Sequence, residues 1–130
     1  MGLVFDAWLR IATIMVNPEV SDYIDDIETE VSAWQNIRTC IHKYGGLQFN
    51  YGSYELGHIH GNGLLDMRLS RKEKQWLMAE DDRILHHHVF KSTGWISLYI
   101  KSEDDAAFAL QLLKMAYDNK MADRRYDQPA

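Results

Sequence analysis

A single cysteine, Cys40, in 130 residues excludes any intramolecular disulfide, which suits a reducing compartment and makes a cytoplasmic location the expectation. Proline is scarce, with two residues, and there is no internal repeat and no low-complexity linker, so disordered and fibrous classes fall away. No apolar run reaches the roughly 20 residues of a membrane-spanning helix. The nearest, LVFDAWLRIATIMV at 3–16, is broken by Asp6 and Arg10 and lacks the basic start and small-residue cleavage site of a signal peptide. Basic residues are outnumbered, 14 against 19 acidic ones, for a formal net charge of −5. Extensive nucleic-acid binding needs clustered Lys and Arg against the phosphates and is not expected. G-x-S-x-G, P-loop, G-x-G-x-x-G, C-x-x-C and H-E-x-x-H motifs are all absent, which removes the signatures of several hydrolase, nucleotide-binding, redox and metalloprotease classes.

What is present suffices for one folded domain: 46% of residues are hydrophobic, and a chain of this length can close a core without staples. The 3–16 segment reads as an apolar helical segment, packed or meeting a second subunit in a homo-oligomer. Asn17-Pro18-Glu19 reads as a helix start, followed by a stripe of Val20, Tyr23, Ile24, Ile27, Val31, Trp34, Ile37 and Ile41 that predicts one long helix ending at Gly45-Gly46. Residues 47–69 read as a strand meander. Ser70 with Glu73 forms a capping box for a helix at 71–80, anchored by Trp76 and Leu77. Residues 84–100 return to extended character around a turn at Ser92-Thr93-Gly94, with a strand at 95–100. Ser102 starts a last helix whose stripe is Ala106, Ala109, Leu110, Leu113 and Tyr117. The predicted fold is α+β, a single domain with an antiparallel β-sheet meander packed on one face by helices. Its expected parts are the 1–16 segment, an α+β body at 17–120 and a loose tail at 121–130.

Within the meander, GHIHGNGLLDMRL at 57–69 permits a test of register. If Gly61-Asn62-Gly63 is a three-residue loop with Gly63 left-handed, His60 faces Leu64, Ile59 faces Leu65 and His58 faces Asp66. Ile59, Leu65, Met67 and Leu69 then share one face, and Leu56, His58, His60, Leu64, Asp66 and Arg68 the other. A two-residue turn at Asn62-Gly63 would mix polar with apolar on both faces, so the first register is preferred.

A carboxylate that accepts from one imidazole nitrogen makes the other a better base or ligand, which casts His58 as base and Asp66 as its orienting partner. His58, His60 and Asp66 are equally candidate ligands for a divalent metal such as zinc, given a further ligand. The bland alternative is a solvated cross-strand pair. In the run His86-His87-His88, alternation on an extended segment lets at most two point into one site, and His88 is assigned to the pocket with His60, Arg68 and Trp95. The alternative there is an exposed loop. Trp95, delivered by Gly94, suits a core position or a pocket wall. Cys40, on the apolar-rich end of the long helix, is expected to be packed rather than nucleophilic.

YELGHIHGNGLLDMRLS, followed by HHHVFKSTGWISLYIKSEDDAAFALQLLKMAYDNK, resembles the luciferase-like domain family over roughly residues 28–118. Glu55, Gly57, His58, His60, Gly61, Gly63, Leu65 and Asp66 carry most of the likeness, with His87-His88 and Gly94-Trp95 in support. The resemblance implies that the equipped hairpin face is a family feature, and it implies no reaction. Two functions therefore stand: a small-molecule-binding or catalytic site on that face, and a noncatalytic interaction or oligomerisation module with a structural His–Asp pair.

Overall fold

A computed structural model describes residues 18–41, 45–87 and 92–123. Among them are α1 (Pro18–Ser32), β1 (Ile37–Ile41), β2 (Leu47–Tyr51), β3 (Tyr54–Ile59), β4 (Leu64–Arg68), α2 (Arg71–Glu80), β5 (Leu85–His86), β6 (Trp95–Tyr99) and α3 (Glu103–Ala122). The strands form one open sheet in the order β1-β2-β3-β4-β6-β5, with every pairing antiparallel. This is the expected α+β fold. None of the described helices is long and apolar enough to cross a membrane. Segment 3–16, read as a helix and an oligomer contact, and residues 124–130 of the expected tail lie outside the described residues.

The core lies between one sheet face and the helices α1 and α3. Val20, Ile24, Ile27 and Val31 of α1 and Ala109, Leu112, Leu113 and Ala116 of α3 are buried against Phe49, Ile59, Leu65, Met67, Ile96 and Leu98 of the strands. Alternation along the strands sends these apolar side chains to the helix side and leaves the polar set on the other.

The long helix expected from 17 to 45 is in fact a helix and a strand. Helix α1 stops at Ser32; Ala33 and Trp34 donate to carbonyls three residues back, at Glu30 and Val31, and Asn36 takes a left-handed conformation at φ 69°. Asparagine tolerates that conformation better than most residues. Beyond it, Ile37 pairs with Tyr51 and Ile41 with Leu47. Residues four apart share a face on a helix and on a strand alike, so the Ile37–Ile41 spacing could not distinguish the two. Cys40 consequently lies on an edge strand and is exposed, not packed.

The capping box of α2 forms as expected: Ser70 Oγ accepts from Glu73 N at 3.1 Å and Ser70 N donates to Glu73 Oε1 at 2.9 Å. Of its two expected anchors only Leu77 is buried. Trp76 is 62% exposed, and the second buried position is Lys74, three residues before Leu77 on the same stripe.

Candidate functional site: a histidine cluster around Asp66

The hairpin joining β3 and β4 sets the site. Gly63 sits at φ 91° and donates its N–H to the His60 carbonyl at 2.9 Å, while His60 N donates to Leu64 O at 2.9 Å. That is the three-residue loop with a left-handed glycine, and it pairs His58 with Asp66 and Ile59 with Leu65. The two-face assignment holds here for every residue but one.

The exception is Leu56. Between β2 and β3, Phe49 pairs with Gly57 but Asn50 pairs with Glu55, so Leu56 is an extra residue in β3. Such a bulge reverses the alternation on one side of itself. Leu56 is thereby fully buried in the core, and Glu55 joins the face of His58. Glycine at 57 permits the close approach: a β-carbon there would lie 2.7 Å from both the Asp66 carbonyl oxygen and Met67 Cβ.

Asp66, 1% exposed, is the centre of the cluster. Its Oδ2 has three imidazole Nε2 atoms around it, from His60 at 3.1 Å, His58 at 3.3 Å and His87 at 3.7 Å. Its Oδ1 accepts from Ser97 Oγ at 2.5 Å. The far side of the His58 ring is held too, since Nδ1 donates to Glu55 Oε2 at 2.5 Å. Ser97 is in place because β6 runs beside β4 and pairs it with Asp66. Trp95 closes one side, with ring centroids 6.1 Å from His58 and 5.7 Å from His87. Among the described residues no buried side-chain nitrogen or oxygen lacks a hydrogen-bond partner.

Electrostatics follow from this geometry. Burial by itself would depress His58, but its hydrogen bonds to Asp66 and Glu55 outweigh burial and push it up to about 9. Burial would likewise raise Asp66, yet the bonds from His58, His60 and Ser97 hold it well below the usual carboxylate range. At neutral pH His58 is therefore an imidazolium between two carboxylates, with neither nitrogen holding a lone pair. The sequence-derived role of His58 as a ready base does not describe this state. The ring becomes a base or a ligand only when Nε2 gives up its proton, with Nδ1–H still directed at Glu55.

Of the residues assigned from sequence, His58, His60 and Asp66 come together, and their ligand atoms lie within 4.8 Å of one another, a spacing that can hold a metal ion. Trp95 and Arg68 adjoin them, the Arg68 guanidinium carbon lying 5.0 Å from the Trp95 ring centroid. His88 lies outside the described residues. The member of the histidine run that reaches Asp66 is His87, 6% exposed, whereas His86 is exposed on the edge strand β5. Sequence reasoning missed Glu55, Ser97 and His87. Glu55 depends on the bulge, Ser97 on the order of strands and His87 on the path after β5. The signals available were the family likeness, in which Glu55 and His87 stand, and the alternating pattern of WISLY, which puts Ser97 on the face of Trp95.

Residues 53–116 match the Luciferase domain family. No curated protein and no solved structure gave a significant match. The matched span contains the hairpin, both histidine-bearing segments, β6 and most of α3, and the match supports the luciferase-like resemblance over residues 53–116.

Proposed function

We propose that this domain binds a small molecule at a metal-holding centre on the polar sheet face, with His58, His60 and Asp66 as ligands of a divalent ion of the zinc class. The observation that carries this reading is the convergence of three Nε2 atoms on one buried carboxylate oxygen at 3.1, 3.3 and 3.7 Å. Donors bound to one tetrahedral zinc at about 2.0 Å sit roughly 3.3 Å apart, a separation close to those of the His60 and His58 Nε2 atoms from Asp66 Oδ2. The Glu55–His58 bond supplies the outer carboxylate that ordinarily orients a metal-bound imidazole. Ser97 fixes one Asp66 oxygen and leaves the other toward the histidines.

The bonds within the cluster stabilise it once its charges are buried, but packed apolar side chains of equal volume are usually at least as stable, so stability alone does not account for placing ionised groups there. When bound, an ion of this class polarises a substrate oxygen and acidifies a water. The chain's own part is to orient and exclude solvent. To hold such an ion His58 would release its Nε2 proton with Nδ1 still on Glu55, and His60 would offer its Nε2; Trp95 walls the site and Arg68 would contact the ligand.

The test is metal titration of chelator-stripped full-length protein without a purification tag. One equivalent of Zn²⁺ is expected, with a rise in melting temperature and, for Co²⁺, visible absorption bands of low-symmetry coordination. His60→Ala should weaken binding at least tenfold. Absence of both bound metal and thermal shift with Zn²⁺, Co²⁺ and Mn²⁺ would leave the cluster as a proton-sharing network and reject the metal.

A further inference from the structure

The site has a cationic neighbour that takes no part in holding a metal. Arg68 follows Asp66 by two residues on β4, so both project from the same sheet face roughly 7 Å apart along the strand. Its guanidinium carbon lies 5.0 Å from the ring centroid of Tyr54 and 5.0 Å from that of Trp95. One of its nitrogens, Nη1, donates to the Tyr54 hydroxyl at 3.2 Å. Among the described residues no carboxylate lies within ion-pair distance of it, and it is exposed. The contrast is Arg83, whose fork is taken up by Asp81 and Asp105.

A guanidinium held beside two rings keeps in-plane N–H donors beyond the one given to Tyr54, and that planar edge matches the two oxygens of a carboxylate or phosphate. The same residue forms part of the wall of a cleft of about 520 Å³ that Tyr54, Lys72 and Lys120 also line. Lys120 Nζ lies 3.7 Å from the Tyr54 ring centroid. Two acids line the cleft as well, Glu73 and Asp123, but Glu73 already accepts from Ser70 N and Asn119 Nδ2. Cations thus outnumber acids along the cleft, three (Arg68, Lys72 and Lys120) against two.

We infer that Arg68, held beside Tyr54 and Trp95, anchors an oxyanion, so that the ligand of this domain is a small carboxylate- or phosphate-bearing compound lying between the Asp66 cluster and the cleft. The inference rests on the proposed small-molecule site but not on its metal. An anion anchor of this kind fixes the end of the ligand that does not react and thereby positions the other end at the histidines.

The experiment titrates full-length protein, with and without one equivalent of Zn²⁺, with inorganic phosphate and separately with succinate at ionic strength matched by sodium chloride. Binding is followed by calorimetry and by the NMR shift of the Arg68 side-chain N–H. Saturable binding of one or both anions is expected, weakened about tenfold to a hundredfold in Arg68→Gln, the scale of a lost charge-assisted hydrogen bond. Arg68→Lys should not restore it, because the planar fork is gone. Phosphate alone binding would assign a phosphate compound, and succinate alone a carboxylate. Arg68-dependent binding without Zn²⁺ upholds the inference even where Zn²⁺ fails to bind and the metal reading falls. No anion binding, equal binding in Arg68→Gln with an unchanged melting temperature, or loss only in Lys72→Gln or Lys120→Gln would overturn it.

Discussion

Removing metal should leave His58 as the dominant source of pH-dependent stability above neutrality. The ring faces Glu55 on β3, His60 just beyond the end of β3 and Asp66 on β4, with His87 reaching the same Asp66 oxygen. Its folded-state value of about 9 lies well above the 6.5 of an unfolded chain. Each tenfold gain in proton affinity on folding is worth about 1.4 kcal/mol, so the imidazolium contributes on the order of 3 kcal/mol. Its side chain is 9% exposed, so solvent screening removes little of that. The depression of Asp66 reports the same contacts from the other partner and is not added. Because the folded state holds this proton more tightly than the unfolded chain, the stabilisation is fully present below about pH 6.5 and is lost as pH rises through about 9. Urea unfolding of chelator-treated protein from about pH 6 to about pH 10 measures it, with His58→Gln as the reference that cancels pH effects from the rest of the chain. The stability difference between the two proteins should shrink by about 3 kcal/mol across that window. A difference that stays constant would show that His58 is not charged in the folded state and would refute the assignment of two carboxylate partners.

Ser97→Ala removes the bond to Asp66 Oδ1 and should cost about 1.5–3 kcal/mol in denaturant unfolding, the range for hydrogen bonds to charged groups. Gly57→Ala forces a β-carbon against the β4 backbone and Met67; a loss of about 1–3 kcal/mol is expected from calorimetric melts, together with weaker metal binding, because the strand carrying Asp66 must move. Asn36, left-handed at φ 69°, should tolerate Gly and lose about 1 kcal/mol with Ala, whereas a continuous helix through 36 would reverse that order. On the acid side, the depressed Asp66 carboxyl should make stability fall as pH drops below about 4, and Asp66→Asn should be less stable at neutrality yet flatter in acid.

Much of the site was legible because a β-hairpin's register is a local property. The loop length and the glycine at 63 together settle which residue faces which, and sorting apolar from polar side chains selects one register over the other. His58, His60 and Asp66 were therefore found together without knowledge of any distant part of the chain. Residues whose places depend on insertions or on distant strands were not found. Glu55, though part of the family likeness, was not placed beside His58 because one extra residue, Leu56, reverses the alternation that sequence reading assumes. His87 was passed over for His88 because the edge strand β5 is only two residues long and the chain leaves strand geometry at 87. The helix expected through 41 failed for a related reason: apolar spacing at 37 and 41 is compatible with either period, and pairing with β2 decided it.

The amino-acid order alone determined the class of fold, the capping of α2 and α3, and the division of the hairpin into one apolar and one polar face, since each follows from contacts among residues close in the chain. Tertiary structure decided the chemistry. Placing β6 beside β4 brought Ser97 to Asp66, and the return after β5 brought His87. The bulge in β3 set Glu55 behind His58. The charge state of a buried imidazole is fixed by partners within a few ångströms, and here those partners were assembled by strand order and strand irregularity rather than by sequence spacing.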